Sequence, residues 1–423
     1  MKILKIIHGF PPLYSAGSEV YSYSIVEQLS KRHEVLVFTR EENVFEPDFS
    51  FRTEHRERYN VVYVNMARAK DGYNHQLINE RFARLVDEFK PDVVHIGHLS
   101  HLSTGIIDVL YERKIPTVYT LHDYWLMCPR GQFLQRNFDG KNTYKVCDGQ
   151  ENRKCATTCY NMYFSGTEQT GSEIQYWTQW IGKRQQVMRQ IIEKVNLFIA
   201  PSRYLMNRYI HDFGVPGEKI VYLDYGFPLH YLRPVQKKQA GVFTFGYIGR
   251  IIPAKGVDLL VRAFKRIKEP ATLKIWGIDD GQTLKALRRL TKDSFNSVEF
   301  LGTYVNSNLA DTIFSQIDVL VVPSVWVENS PLVIHEAQAC RVPVITADTG
   351  GMAEYVRHKE NGLLFKFRDE QSLYEQMLWA LNHPDKMRGF GQRGYLYSEN
   401  GEVPGIEEHC KKLEEIFELI INN

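Results

Sequence analysis

Short β-branched runs recur along the chain, each set off from the next by ten or more residues with helical periodicity. KILKIIH, EVLVFT, VVYV, DVVHIG, TVYTLH and LFIAPS lie in the first half; VFTFGYIG, TLKIWG, VEFLG, DVLVVPS and VPVITA follow in the second. Strands that alternate with helices in this way build parallel sheets covered on both faces, because a parallel connection needs a crossover long enough to hold a helix. With 423 residues the chain exceeds what one hydrophobic core serves, so two such α/β sheets are expected.

The seam between them falls in DYGFPLHYLRPVQKKQAG, residues 224–241, where Gly226, Pro228, Pro234 and Gly241 interrupt any period. The expected domains are therefore 1–233 and 234–403. In the last stretch, 404–423, Ile406, Leu413, Ile416, Phe417 and Ile420 share a helix face, and this helix is expected to cross back to the first domain. One irregular insertion, 128–180, is rich in Cys, Asn, Thr and Gly; a segment that long is functional or needs a staple.

Charge excludes one class of partner. Lys and Arg number 52 against 50 Asp and Glu, the signs are interspersed, and a net charge of +2 leaves no footprint for nucleic acid. MKILKIIHGFPP reads as a first strand rather than a leader, and no run approaches 18 apolar residues, so no transmembrane segment is expected. Six cysteines are too few for a disulfide scaffold. The expected location is the reducing cytoplasm, with contact at the inner membrane face as the upper limit.

In open α/β sheets ligands bind beyond the carboxyl ends of the strands, so the residues after each strand carry the chemistry. GRIIPAKG, residues 249–256, follows the first strand of the second domain and sets Arg250 and Lys255 between two glycines. Such a pair neutralises a diphosphate, the arginine by a bidentate fork and the lysine as a point charge. Two solvated basic residues on a turn is the plainer alternative.

ENSPLVIHE, residues 328–336, follows the apolar run IDVLVVPS. Pro331 suits the first position of a helix capped by Ser330, running to about Cys340, whose amide end attracts anions. Glu336 shares a face with Leu332 one turn behind that end, placed for ribose hydroxyls rather than phosphate. Glu328, in the preceding loop, suits sugar hydroxyls or developing positive charge. In the first domain His122 follows the strand IPTVYT, and Gly17 precedes a helix where a small residue lets a ligand approach the backbone. The lack of GxGxxG after the first strand counts against a dinucleotide-dependent dehydrogenase.

The succession SAGSE, RHEVLVFT, LHD, GRxxxxKG, PSxxxENSPLVIHEAQAC, PVITADTGGMAE and NGLLF resembles the retaining GT-B glycosyltransferases of family 4, the glycosyl transferases group 1, over nearly the whole chain. The resemblance implies two Rossmann-like domains facing a cleft and a nucleotide-diphosphate sugar as donor, with no cofactor required for catalysis. It implies an acceptor hydroxyl on a glycan, glycolipid or small molecule.

By the resemblance, Arg250 and Lys255 hold the diphosphate, Glu336 the ribose and Glu328 the transferred sugar. The amides near Ser330, Leu332 and Val333 meet phosphate or sugar, and His122 and Gly17 complete the site. This chain departs from the family at Ala16, at ENSP in place of EGFP or EGSP, and at Arg341 where a glycine is usual. A sugar-nucleotide epimerase and a non-catalytic sugar-nucleotide binder are the alternatives.

Cys128, Cys147, Cys155 and Cys159 crowd the insertion with 18, 7 and 3 residues between them. A structural zinc and free thiols or a disulfide fit this spacing about equally. Tyr176, Trp177 and Trp180, ahead of Lys183 and Arg184, suit packing within the domain better than an acceptor site or a lipid interface.

Overall fold

The computed structural model describes residues 1–66, 72–135, 144–160, 170–237, 241–279 and 281–422. Parts of the expected insertion and of the QKKQ run, and Asn423, lie outside these.

The chain forms two compact units, one of Met1–Gly226 with Ile406–Asn423, the other of Phe227–Gly405. The first holds strands β1 (Lys2–Ile6), β2 (Glu34–Glu41), β3 (Phe51–His55), β4 (Asn60–Asn65), β5 (Val93–Ile96), β6 (Thr117–Thr120), β7 (Leu197–Ala200) and β8 (Ile220–Tyr222). Their order is β3-β4-β2-β1-β5-β6-β7-β8. Every pairing is parallel except β3 with β4, a departure from the all-parallel expectation. β3 (FRTEH) is polar and largely exposed, as an edge strand can be, so its apolar pattern is too weak to read.

The second unit has β9 (Phe243–Ile248), β10 (Ala271–Trp276), β11 (Ser297–Gly302), β12 (Val319–Val322), β13 (Val344–Ala347) and β14 (Gly362–Phe365), in the order β11-β10-β9-β12-β13-β14. All its pairings are parallel. β12 and β13 are buried along their whole length, as strands with both faces covered must be.

The first unit ends at Gly226, seven residues before the expected 233. The intervening residues pack on the second unit: the Phe227 ring stacks on His335 at 5.0 Å, Leu232 is buried, and Arg233 pairs with Asp311 at 2.7 Å. Apolar anchors at Phe227 and Leu232 outweigh the turn signals of Pro228 and Pro234.

Helix α1 (Gly17–Leu29) follows β1, with Gly17 as its first residue rather than the residue before it. The terminal helix, α7 (Ile406–Ile421), buries Cys410, Leu413 and Phe417 within the first unit. Tyr21 and His409 share a hydrogen bond of 2.7 Å, and Glu414 accepts from Arg32 at 2.7 and 2.9 Å. Phe417 has no exposed surface and sits 5.5 Å from the His95 ring. Phe417→Ala should therefore lower the stability of the first unit by about 3–5 kcal/mol, read by chemical denaturation; a shift below about 1 kcal/mol would show that α7 is not part of that core.

Candidate functional site

In the second sheet β9 lies between β10 and β12, so successive connections wind one way from β9 to β11 and the other way from β12 to β14. The gap at such a switch is where an open α/β sheet admits a ligand. The two segments that flank it are those that follow β9 and β12, and they are knitted together. Val325 N–H donates to Ala254 O at 3.1 Å and Ser324 Oγ to the same oxygen at 3.3 Å. Gly256, which caps helix α4 (Val257–Lys265), has φ +67°, and a Cβ there would stand 2.0 Å from Pro323 O, so both the turn and the approach demand glycine.

That contact brings two expected site residues onto one another. Lys255 Nζ donates to both carboxylate oxygens of Glu328 at 2.9 Å and lies 5.7 Å from the centre of the Trp326 ring. The Glu328 side chain is 8% exposed and that of Lys255 30%, so the carboxylate is held inside while the ammonium faces partly outward. Arg250 is exposed, its carbonyl accepting from Tyr247 Oη at 2.7 Å.

Helix α5 (Leu332–Ala339) begins one residue later than the sequence suggests. Pro331 is its N-cap with ψ 114°, an extended conformation, and no side chain caps the helix. Ser330 is thus corrected from cap to loop residue, and its buried Oγ has no partner among the described residues. The first amides of α5, at Leu332 and Val333, belong to the set that no intrahelical carbonyl can satisfy. The loop before the helix is pinned by α6 (Gly350–Tyr355): Gly351 N–H donates to Glu328 O at 2.9 Å. A Cβ on Gly351 would lie 1.2 Å from Asn329 O, so no other residue fits.

Glu336 sits one turn into α5. Desolvation pushes its carboxyl up to about 7, against a smaller opposing effect of His335. Burial, with Glu336 as the next contributor, raises the Tyr304 hydroxyl. Tyr304 follows β11 and so belongs with these strand ends; a single tyrosine after a strand gave no signal in the sequence. Arg341 adopts φ 61°, the left-handed conformation its position usually gives to glycine. Its guanidinium offsets that cost, about 1 kcal/mol, by donating to the carbonyls of Gln392, Asn400 and Gly401 at 2.9–3.1 Å.

The first unit has its own switch, between β1 and β5, and the residues there are ones the sequence reading passed over. His8 follows β1 and His98 follows β5, their ring centres 4.4 Å apart. His8 Nε2 is 3.3 Å from Glu19 Oε1, and His98 Nε2 is 3.3 Å from Asp123 Oδ2. Burial lowers His8; desolvation opposes ionisation of Glu19, but hydrogen bonds with His8, Ser18 and its own backbone amide, together with the charge of His8, bring its carboxyl down to about 2. His122 is not poised alone: its Nδ1 lies 2.6 Å from Tyr225 Oη, and desolvation holds it well below the usual histidine range, neutral at pH 7. The signal for His8 was its place directly after the first strand.

Cys128, Cys147, Cys155 and Cys159 are free and line one small cavity. Among the described residues no three His, Cys, Asp or Glu side chains are placed so as to hold an ion. Trp177 and Trp180 pack on Cys155, Cys159, Tyr160 and Ile181, as the packing reading expects, whereas Tyr176 is exposed. Among the described residues no helix is long and apolar enough to cross a membrane.

Residues 15–230 match the family model described as Glycosyltransferase Family 4, and residues 232–397 match Glycosyl transferases group 1. A GDP-mannose-dependent monoacylated alpha-(1-6)-phosphatidylinositol monomannoside mannosyltransferase of Corynebacterium glutamicum is 28% identical over 53% of this chain and 62% of its own length. An uncharacterized glycosyltransferase of Methanocaldococcus jannaschii is 32% identical over 38% and 44%. The chain thus spans about half the length of the curated relatives it matches.

Sucrose-phosphate synthase from Thermosynechococcus elongatus superimposes with a TM-score of 0.70 at 20% identity, covering 100% of this chain and 99% of that one. HepE of Anabaena in complex with UDP gives 0.69 at 18%, covering 99% and 100%. These likenesses show the fold, two Rossmann-like parallel-sheet units of the GT-B class.

Because the Glu336 carboxyl titrates near 7 in the folded chain and near 4.5 when unfolded, the unfolded state gives up its proton first and stability falls as pH rises through that window. Glu336→Gln should raise Tm over the wild type at pH 8, and the difference should shrink towards pH 4.5 in a calorimetric series; a pH-independent difference would contradict the assignment.

Proposed function

The chain belongs to Glycosyltransferase Family 4, and from that premise we propose that it moves a sugar from a nucleotide-diphosphate donor to an acceptor hydroxyl with the anomeric configuration retained. The observation that carries the reading is the Lys255–Glu328 pair at the switch point of the second sheet, directly before the amide end of α5. One loop supplies cations, the next a carboxylate, and the helix a set of unsatisfied donors.

Breaking a glycosyl–diphosphate bond builds negative charge on the departing diphosphate. Groups fixed in advance against that charge stabilise the transition state more than the ground state. Arg250, exposed at the loop, takes one phosphate. Lys255 exchanges part of its contact with Glu328 for the other, which frees the carboxylate to accept from hydroxyls of the transferred sugar. Ser330 Oγ and the Leu332 and Val333 amides bind phosphate or sugar oxygens, and Glu336 accepts from ribose hydroxyls.

We assign the acceptor side to the first unit, where His122 and the His8–Glu19 and His98–Asp123 pairs follow strands and Gly17 opens α1. A lining of imidazoles and carboxylates suits a polyhydroxylated acceptor, a class to which the mannosyl and inositol acceptors named for two curated relatives belong. The setting is synthesis of a glycan or glycoconjugate in the cytoplasm.

A thermal-shift series with UDP, GDP and ADP identifies the donor base, since saturation at 100 times Kd adds about 2.7 kcal/mol. With the matching donor and an accepted acceptor, Lys255→Ala should keep the folded circular-dichroism spectrum and lose at least about 100-fold in kcat/KM, roughly 2.7 kcal/mol of transition-state stabilisation. An unchanged rate would reject the site. Nucleotide released at the same rate without acceptor would reject the transfer.

A further inference from the structure

We propose that Cys128, Cys147, Cys155 and Cys159 bind one zinc ion as four thiolates, and that the buried guanidinium of Arg184 balances the charge of that group. The four sulfurs come from three separate pieces of chain that the fold returns to one place. Cys128 lies in the turn that continues from β6, its N–H donating to Tyr124 O at 2.7 Å. Residues 133–135 and 144–147 pair antiparallel and place Cys147: Gln135 N–H donates to Lys145 O at 2.9 Å and Cys147 N–H to Phe133 O at 2.7 Å. Helix α2 (Asn152–Thr158) brings Cys155 and, at its C-cap, Cys159 onto one face four residues apart.

All four line a single cavity with Phe133, Leu134 and Tyr160, with room for one water-sized sphere, ≈ 10 Å³. That space suits one ion and not a multi-iron cluster; the four sulfurs are not placed as a ligand set, and four sulfurs drawn tetrahedrally around one ion would select zinc.

A buried charge close to the cluster points the same way. Arg184, on α3 (Gly171–Lys194), is 2% exposed. Its Nη2 donates to Trp125 O at 2.7 Å and its guanidinium lies 4.7 Å from the Trp125 ring centre. Its Nη1, also buried, has no hydrogen-bond partner among the described residues, and no carboxylate there pairs with it. Burial disfavours the charge of Arg184, and Tyr160, Cys128, Tyr209 and Asp123 oppose that only from a distance, none of them bonded to it. A buried cation without a bonded counter-charge is costly, and a zinc tetrathiolate carries two negative charges.

As placed, Cys147 Sγ donates to Gly149 O at 3.0 Å and Cys159 Sγ to Leu134 O at 3.9 Å, contacts of protonated thiols. Binding exchanges four S–H protons, released to solvent, for four Zn–S bonds, with rotation about the single χ1 of each cysteine and no change of oxidation state. The ion then staples an insertion whose own apolar cluster is small. It also fixes the Asp123–Cys128 segment through Trp125 and Arg184.

The test needs neither donor nor acceptor. The full chain, produced in zinc-supplemented medium and freed of any metal-binding tag, should carry about one zinc by mass spectrometry of the elements, with an X-ray absorption shell of four sulfurs at about 2.3 Å. Cys159→Ser should lose the metal and Cys340→Ser, outside the cluster, should keep it. Arg184→Met should release zinc to a chelator about 10-fold faster. If Cys159→Ser does not fold, cobalt(II) exchanged into the wild-type chain should show thiolate-to-metal charge transfer and intense visible bands. Less than about 0.2 zinc per folded chain, iron in its place, or a shell of nitrogen and oxygen would overturn the proposal.

Discussion

An ion pair closes the switch point of the second sheet, and the local architecture follows from the need to make it. Lys255 and Glu328 belong to loops 73 residues apart in sequence, and they meet because β9 and β12 are neighbours. For the loops to approach, Gly256 must lie against Pro323 O and Gly351 against Asn329 O, where a side chain on either glycine would collide with backbone. The carboxylate is then enclosed at 8% exposure, and such a group demands a partner.

Enclosure also suits the pair to the proposed chemistry. Near a helix N-terminus and away from bulk water, charges act on one another more strongly than in solvent. In the proposed reaction Lys255 is shared between a fixed carboxylate and a charge that appears only as the glycosyl bond breaks. The α5 amides meet that charge without reorganising. Glu336, one turn further on, rests near its own pKa, so a ligand that hydrogen-bonds to its carboxylate also draws out the proton.

Much of this was legible in the sequence because it depends on local pattern. Eleven strand runs, the break after the first domain, the GRxxxxKG loop and the ENSP segment are all matters of spacing. What stayed hidden depends on topology or on one-residue geometry. Ser330 looked like a cap because Pro so often opens a helix, yet Pro331 stays extended and the helix begins at Leu332. His8 and His98, 90 residues apart, become neighbours only when β1 and β5 pair. Lys255 and Glu328 were each read correctly as strand-end groups, but their bond to each other appears only once the sheet order is known. Arg341 departs from a usual glycine without penalty to the fold because three carbonyls happen to surround its guanidinium.

In the proposed reaction, positive charge at one switch point recognises the diphosphate. Isothermal titration of the nucleoside diphosphate and of the corresponding monophosphate, with the wild type and with Arg250→Ala/Lys255→Ala, tests it most directly. The diphosphate should bind the wild type at least about tenfold more tightly, near 1.4 kcal/mol, and the advantage should vanish in the double variant. Retention of the full advantage by the double variant would contradict it.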